Sequence, residues 1–292
     1  MLRWRLLLGT AFIAALAGLC WLDLHAAMPG IWLMPLVLVL SLVGTQELLG
    51  LLKARGLRPI AWPLYVGNLA VVASNWAAVL HANSTLGPLG WPLLVLALAV
   101  LLAIMAQMRR YTGPGAVMEQ LGLSMFCLVY VGLLLSFVCQ LRLIGGGRTG
   151  LAAVVSLLIV VKLCDVGAYT FGRLFGRHKM SPILSPGKTW EGAAGGLALA
   201  CLGAWLALHV LAPRISVQAL PAGPWYGWAA FGLVVGMAGI LGDLAESLIK
   251  RDVGRKDSST WMPGFGGVLD LLDSILFAAP VAYLLWALKL VP

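Results

Sequence analysis

The stretch Asp243-Leu-Ala-Glu246-Ser-Leu-Ile-Lys250-Arg251-Asp252, continued by Arg255-Lys256-Asp257, Pro263-Gly264-Phe265-Gly266-Gly267 and then Asp270 and Asp273, is a polar joint between two apolar runs at about 225–249 and 267–288. Charge is scarce elsewhere: 11% of the 292 residues are charged and 61% are hydrophobic. Each flanking run has the roughly 20 apolar residues that carry a helix across a bilayer, and the short joint makes the two helices neighbours. At about 100° per residue, Asp243, Glu246 and Lys250 share one face of the first helix. Asp270 and Asp273, three apart, share a face at the start of the second. Carboxylates from both arms of this hairpin therefore converge on one region.

Runs of membrane-crossing length recur along the whole chain, at about 6–24, 31–52, 60–80, 91–108, 117–140, 150–172 and 192–212 as well as the two already named. An apolar share this far above the usual half or less, with a mean hydropathy of +0.96, excludes an ordinary soluble domain. The expected fold is an all-α polytopic transmembrane bundle of about nine spans. Arg3 and Arg5 precede the first run as in a secretion signal, but its length and the lack of a small-residue cleavage site favour an uncleaved first helix. With the N-terminus cytoplasmic, fifteen of the twenty Lys and Arg residues fall in that compartment, and Arg142, Arg148, Arg214 and Lys289 fall opposite. The net charge of +9 is then mostly a topological signal, and nucleic-acid binding need not be invoked. No long linker or internal repeat divides the chain. It reads as one integral membrane domain, with N-terminal spans over about 1–115 and a catalytic half over about 116–292, most simply in a bacterial inner membrane with its site facing the cytoplasm.

Hard oxygen ligands without His or Cys among them favour Mg²⁺ over a transition metal. Asp243, Glu246, Asp270 and Asp273 are the candidate ligands. Gly264, Gly266 and Gly267 end the loop just before a helix start, where free N–H groups attract phosphate. The basic run Lys250, Arg251, Arg255 and Lys256 completes what a magnesium-bound polyphosphate would need. Taken singly, each feature has an ordinary reading, such as a cationic membrane edge or a helix break; their clustering in one hairpin favours the site. The five cysteines all lie in apolar runs without metal-like spacing and read as packing residues. Glu47 is an ionisable group among apolar N-terminal spans, readable as a core partner, a site residue or a helix-end group reaching water.

A second polar stretch contains Lys162 and Asp165, three apart on the sixth run, then Arg173, Arg177 and Ser185-Pro-Gly-Lys188-Thr189-Trp190-Glu191-Gly192. Lys162 and Asp165 form an intrahelical ion pair in the simplest reading, and Asp165 is equally readable as a site residue. Gly187-Lys188-Thr189 is not a P-loop: Pro182 stands where that motif requires glycine, and a membrane helix precedes the segment instead of a strand.

Ser247-Leu-Ile-Lys250-Arg251, Lys256-Asp257, Pro263, Gly266-Gly267, Asp270 and Asp273, with their spacing, resemble the C-terminal motif of the phosphatidate cytidylyltransferase family. The stretch from Asp165 to Gly192 resembles that family's second shared region, so the resemblance covers roughly the C-terminal half. Two departures stand out: Phe265 where the pattern has His, and Leu271 where it has Arg. The resemblance implies attack by the phosphate of phosphatidic acid on the α-phosphorus of CTP, giving CDP-diacylglycerol and pyrophosphate.

On this reading Asp243 and Asp270 hold the metal, with Glu246 and Asp273 as further ligands or as groups supporting the ligands. Lys250, Arg251, Lys256 and Asp257 form the catalytic cluster, and Ser185, Lys188, Arg173 and the glycine loop receive substrate phosphates. The partners are CTP, phosphatidic acid and the bilayer, with a second copy of the chain as a candidate. Open alternatives are a CTP-dependent enzyme of isoprenoid phosphate or polyprenol, a non-catalytic membrane scaffold, and a transporter, although transporter charges belong nearer the bilayer midplane.

Overall fold

The computed structural model describes residues 2–81, 85–216, 224–259 and 266–291, with side chains from position 9 onward. Pro263, Gly264 and Phe265 lie outside the described residues. In chain order the helices are α1 (Leu2–Leu24), α2 (Leu33–Ala54), α3 (Ala61–Leu80), α4 (Gly87–Arg110), α5 (Val117–Leu143) and α6 (Gly147–Phe175). A two-stranded hairpin, β1 (Lys179–Ser181) and β2 (Ser185–Thr189), precedes α7 (Trp190–Ile215), α8 (Gly227–Asp252) and α9 (Val268–Ala287). In hydrocarbon every backbone polar group must be satisfied within its own segment, which is why such apolar runs become helices.

Eight of these helices, α2 to α9, are long and apolar enough to span a bilayer. The expected polytopic helical bundle is observed, with eight of the nine expected spans matched to within a few residues at each boundary among the described residues. Of α1, the apolar helical residues described with their side chains are Gly9–Leu24. Leu93, Leu94, Leu98, Leu101 and Met105 of α4 are exposed, as suits a face solvated by lipid. The chain is an integral membrane protein.

The core lies where α5, α6, α8 and α9 meet, around Leu135, Leu157, Val161, Phe231, Val235 and Leu276. Glycines bring α6 and α7 into backbone contact: a Cβ on Gly167 would lie 2.7 Å from the Gly195 carbonyl oxygen and 2.9 Å from Gly196 Cα. Small residues permit such approach between membrane helices, and here it carries β1–β2 against the end of α8.

Polar ties bind the two ends of the bundle. At one end Arg142, 4% exposed, pairs with Asp23, 1% exposed, across 2.5 Å, and Asp23 also accepts from the Gly30 and Trp32 N–H groups. At the other, Arg55 of the α2–α3 loop pairs with Asp252 at the end of α8 and donates to its carbonyl at 2.6 Å. Two of the basic connections predicted to share a membrane face are thus in contact.

Candidate active site

The polar joint folds against β1–β2 around a cavity of about 440 Å³, large enough for a small-molecule substrate. Asp165 and Lys162 reach it from α6, Lys188 from β2, Asp243 from α8, and Asp270 and Asp273 from α9. The convergence of both hairpin arms expected from helical periodicity is realised.

The β-hairpin is antiparallel, pairing Lys179 with Thr189 and Ser181 with Ser185. Thr189 caps α7 by accepting from the Gly192 N–H at 3.1 Å. The Glu191 carboxylate accepts from the Arg177 and His178 N–H groups and contacts His178 Nδ1 at 2.6 Å, closing the hairpin base. Arg251 Nε donates to the Leu184 carbonyl near the hairpin tip at 3.2 Å. So held, Lys188 Nζ lies 2.8 Å from Asp243 Oδ2.

Behind the cavity wall, Lys250 Nζ lies 2.5 Å from both Glu246 Oε2 and Asp270 Oδ1. Glu246 is 1% exposed, and its Oε1 has no hydrogen-bond partner among the described residues. Asp270 Oδ2 accepts from the Ser258 N–H at 2.9 Å and from the Gly267 N–H at 2.7 Å.

Glu47 of α2 is 6% exposed and reaches the same point from the N-terminal half of the chain. Its carboxylate accepts from the Val268 N–H at 2.9 Å and the Leu269 N–H at 2.8 Å, two donors that a helix start leaves unpaired. The Ser258 hydroxyl lies 3.0 Å from Glu47 Oε2 and 2.7 Å from Asp270 Oδ2; having one proton, it donates to one of them at a time. Glu47 thus acts as a core partner that orients the start of α9. Its sequence signal was a lone buried-span carboxylate, with nothing local to name its partner.

A Cβ at Gly267 would collide with Ser258 Oγ and the Glu47 carboxylate. Gly267→Ala is accordingly expected to destabilise by about 1–3 kcal/mol, the range for overpacking a filled site, and to depress activity through Asp270. The thermal denaturation midpoint in detergent and the initial rate check this. Gly266, at φ +84°, occupies backbone that a side chain rarely adopts.

Of the residues singled out in the sequence, Asp243, Asp270, Asp273 and Lys188 line the cavity, whereas Glu246 and Lys250 stand behind Asp270. Lys162 and Asp165 are paired at 3.3 Å, as expected, and also line the cavity. Ser185, Arg173, Arg251, Lys256, Asp257, Gly266 and Gly267 are not in its wall. Arg173 donates to the Tyr169 hydroxyl at 3.0 Å, and Lys256 and Asp257 are exposed on the α8–α9 loop. Gly264 lies outside the described residues.

Among the described residues no three His, Cys, Asp or Glu side chains are placed to cage a cation. The cavity's carboxylates nevertheless fit magnesium, which keeps several waters and is held by one or two carboxylates together with substrate phosphates. Each carboxylate oxygen has two lone pairs, so the Lys188 pair leaves acceptor capacity on Asp243, and on Asp270 it is Oδ1, held by Lys250 alone, that has a lone pair to spare, Oδ2 being taken by Ser258 and Gly267.

The sequence profile of the cytidylyltransferase family matches residues 7–289. A phosphatidate cytidylyltransferase of Mycobacterium bovis is 32% identical over 275 residues, 93% of this chain and 85% of that protein. One from Staphylococcus aureus is 31% identical over 272 residues, 88% and 90% of the two chains.

Proposed function

The chain belongs to the cytidylyltransferase family, and from that premise we propose that it transfers the CMP unit of CTP to phosphatidic acid, for phospholipid biosynthesis. The observation that carries the reading is the cavity in which carboxylates of α6, α8 and α9 face Lys188 of the β-hairpin, in a chain of which 93% aligns with a phosphatidate cytidylyltransferase. A phosphate oxygen of phosphatidic acid attacks the α-phosphorus of CTP. The bond from that phosphorus to the oxygen bridging to the β-phosphorus breaks, and its electron pair leaves with pyrophosphate. The nucleophile is already an anion, so no general base is required.

The chain's task is to bring two polyanions together in line. Asp243 and Asp270, with Asp273 beside them, would hold a magnesium ion, which when bound neutralises phosphate charge and orients the reacting groups. Lys188, released from Asp243 as substrate enters, binds the triphosphate. Lys250 keeps Asp270 aimed at the cavity while offsetting the buried Glu246. Arg251 holds the hairpin in place, and Ser185 supports Lys188 along β2. Arg173, Lys256 and Asp257 lie outside the cavity wall, and Gly267 just before α9 donates its N–H to Asp270. The excess of Lys and Arg in the connections at this end of the bundle supports a cytoplasmic site, where CTP is found, with the lipid tails of the acceptor remaining in the bilayer. In a bacterial cell this is the inner membrane, and a second copy of the chain is a candidate partner there.

The test is a transfer assay on purified protein in mixed micelles with α-labelled CTP, phosphatidic acid and Mg²⁺. Label entering the lipid phase with an equal yield of pyrophosphate is expected. Release of CDP without label in lipid would assign kinase chemistry instead and overturn the reading. Lys188→Ala is expected to raise the KM for CTP about tenfold or more, the usual scale for losing a charge-assisted contact to phosphate; an unchanged KM would remove Lys188 from that role.

A further inference from the structure

Lys162 lies within a membrane-spanning helix, where a charge costs about 2.5–3.5 kcal/mol on insertion scales. Its ammonium has two contacts, both long: 3.3 Å to Asp165 Oδ2 and 3.5 Å to the Leu271 carbonyl of α9. The side chains of this pair are 49% and 43% exposed, and both residues line the cavity. Lys250 is different in kind. It is gripped at 2.5 Å by Glu246 and Asp270, with side-chain exposures of 11%, 1% and 11%. Lys250 is a locked structural cation, whereas Lys162 is loosely held over open space.

The cavity wall contains four carboxylates, Asp165, Asp243, Asp270 and Asp273, against two ammonium groups, Lys162 and Lys188. Two phosphate-bearing substrates must enter this negative surround, and each positive charge facing them carries a large share of the attraction. Lys188 approaches on β2 beside Asp243; Lys162 approaches from α6, at the first turn of α9. Its contact point is the backbone of Leu271, the position at which this chain departs from the arginine of the motif it resembles.

We infer that Lys162 binds a substrate phosphate, supplying from α6 the positive charge that Leu271 does not supply from α9. The inference rests on the cytidylyl-transfer reading of the site. Lys162→Met keeps the aliphatic stem and removes the charge. It is expected to lower kcat/KM about tenfold or more, the scale of losing a charge-assisted contact to a phosphate, while Lys162→Arg stays close to the parent protein. A raised KM for CTP, with weaker retention of α-labelled CTP in equilibrium dialysis, assigns Lys162 to the nucleotide. A raised KM for phosphatidic acid with unchanged CTP retention assigns it to the lipid phosphate. Adding Leu271→Arg to Lys162→Met is expected to recover most of the loss, which a packing defect would not allow. Values for Lys162→Met within twofold of the parent for both substrates overturn the inference, as does a loss that neither Lys162→Arg nor Leu271→Arg recovers. Failure of the unaltered protein to transfer label would instead overturn the reading of the site as a whole.

Discussion

Asp243→Asn is expected to abolish measurable CMP transfer, a loss of about 100-fold or more, while the protein still elutes as a folded species in detergent. Two effects act together. The carboxylate is a candidate metal ligand, and charge stabilisation at a reacting phosphate is worth about 10²–10³ in rate per group removed. It is also the partner of Lys188 at 2.8 Å, so the neutral amide leaves that ammonium without its counter-charge. Asp273→Asn, which alters a cavity carboxylate 9% exposed, is expected to follow in the same direction. Asp252→Asn serves as the control, because its side chain is 62% exposed and pairs with Arg55 away from the cavity; a surface pair of this kind contributes little. Near-normal turnover in Asp243→Asn would remove Asp243 from the metal role.

Glu47→Ala is expected to lower both stability and turnover, although Glu47 is not in the cavity wall. The substitution leaves the Val268 and Leu269 N–H groups buried without their acceptor and takes one partner from Ser258. Loss of a helix cap together with hydrogen bonds to a charged group costs about 2–4 kcal/mol, or about 5–10 °C in the denaturation midpoint for a chain of this size. Turnover is expected to fall further than the folded fraction, because Ser258 and the first turn of α9 also aim Asp270. Glu47→Gln keeps one carbonyl acceptor and should lie between the two. An unchanged midpoint for Glu47→Ala would show that α9 starts correctly without this tie.

The positions of α2 to α9 were legible because they depend on apolar run length, a property of consecutive residues that the bilayer thickness converts directly into helices. The shared face of Asp243, Glu246 and Lys250 was legible for a similar reason: helical angle is local, and the Lys250–Glu246 pair is an i,i+4 contact. Within that face the division of labour was not. Asp243 turned to the cavity and Glu246 to the interior according to which neighbour covers each, and no spacing rule reports that. Lys256 and Asp257, adjacent to the cluster in sequence, came to lie on an exposed loop.

Contacts across long stretches of chain were illegible for the same physical reason. Glu47 meets Val268 from 221 residues away, Lys188 meets Asp243, and Lys162 meets the backbone of Leu271. Each depends on how closely helices pack. That closeness is set by missing side chains, such as those of Gly167, Gly195 and Gly196 between α6 and α7 and of Gly267 beside Glu47. Run length and helical period wrote the spans and their polar faces into the chain. Close packing of the helices then determined which polar faces share a cavity, because burying a charge in hydrocarbon is tolerable only where a partner from another helix, or a wet cavity, receives it.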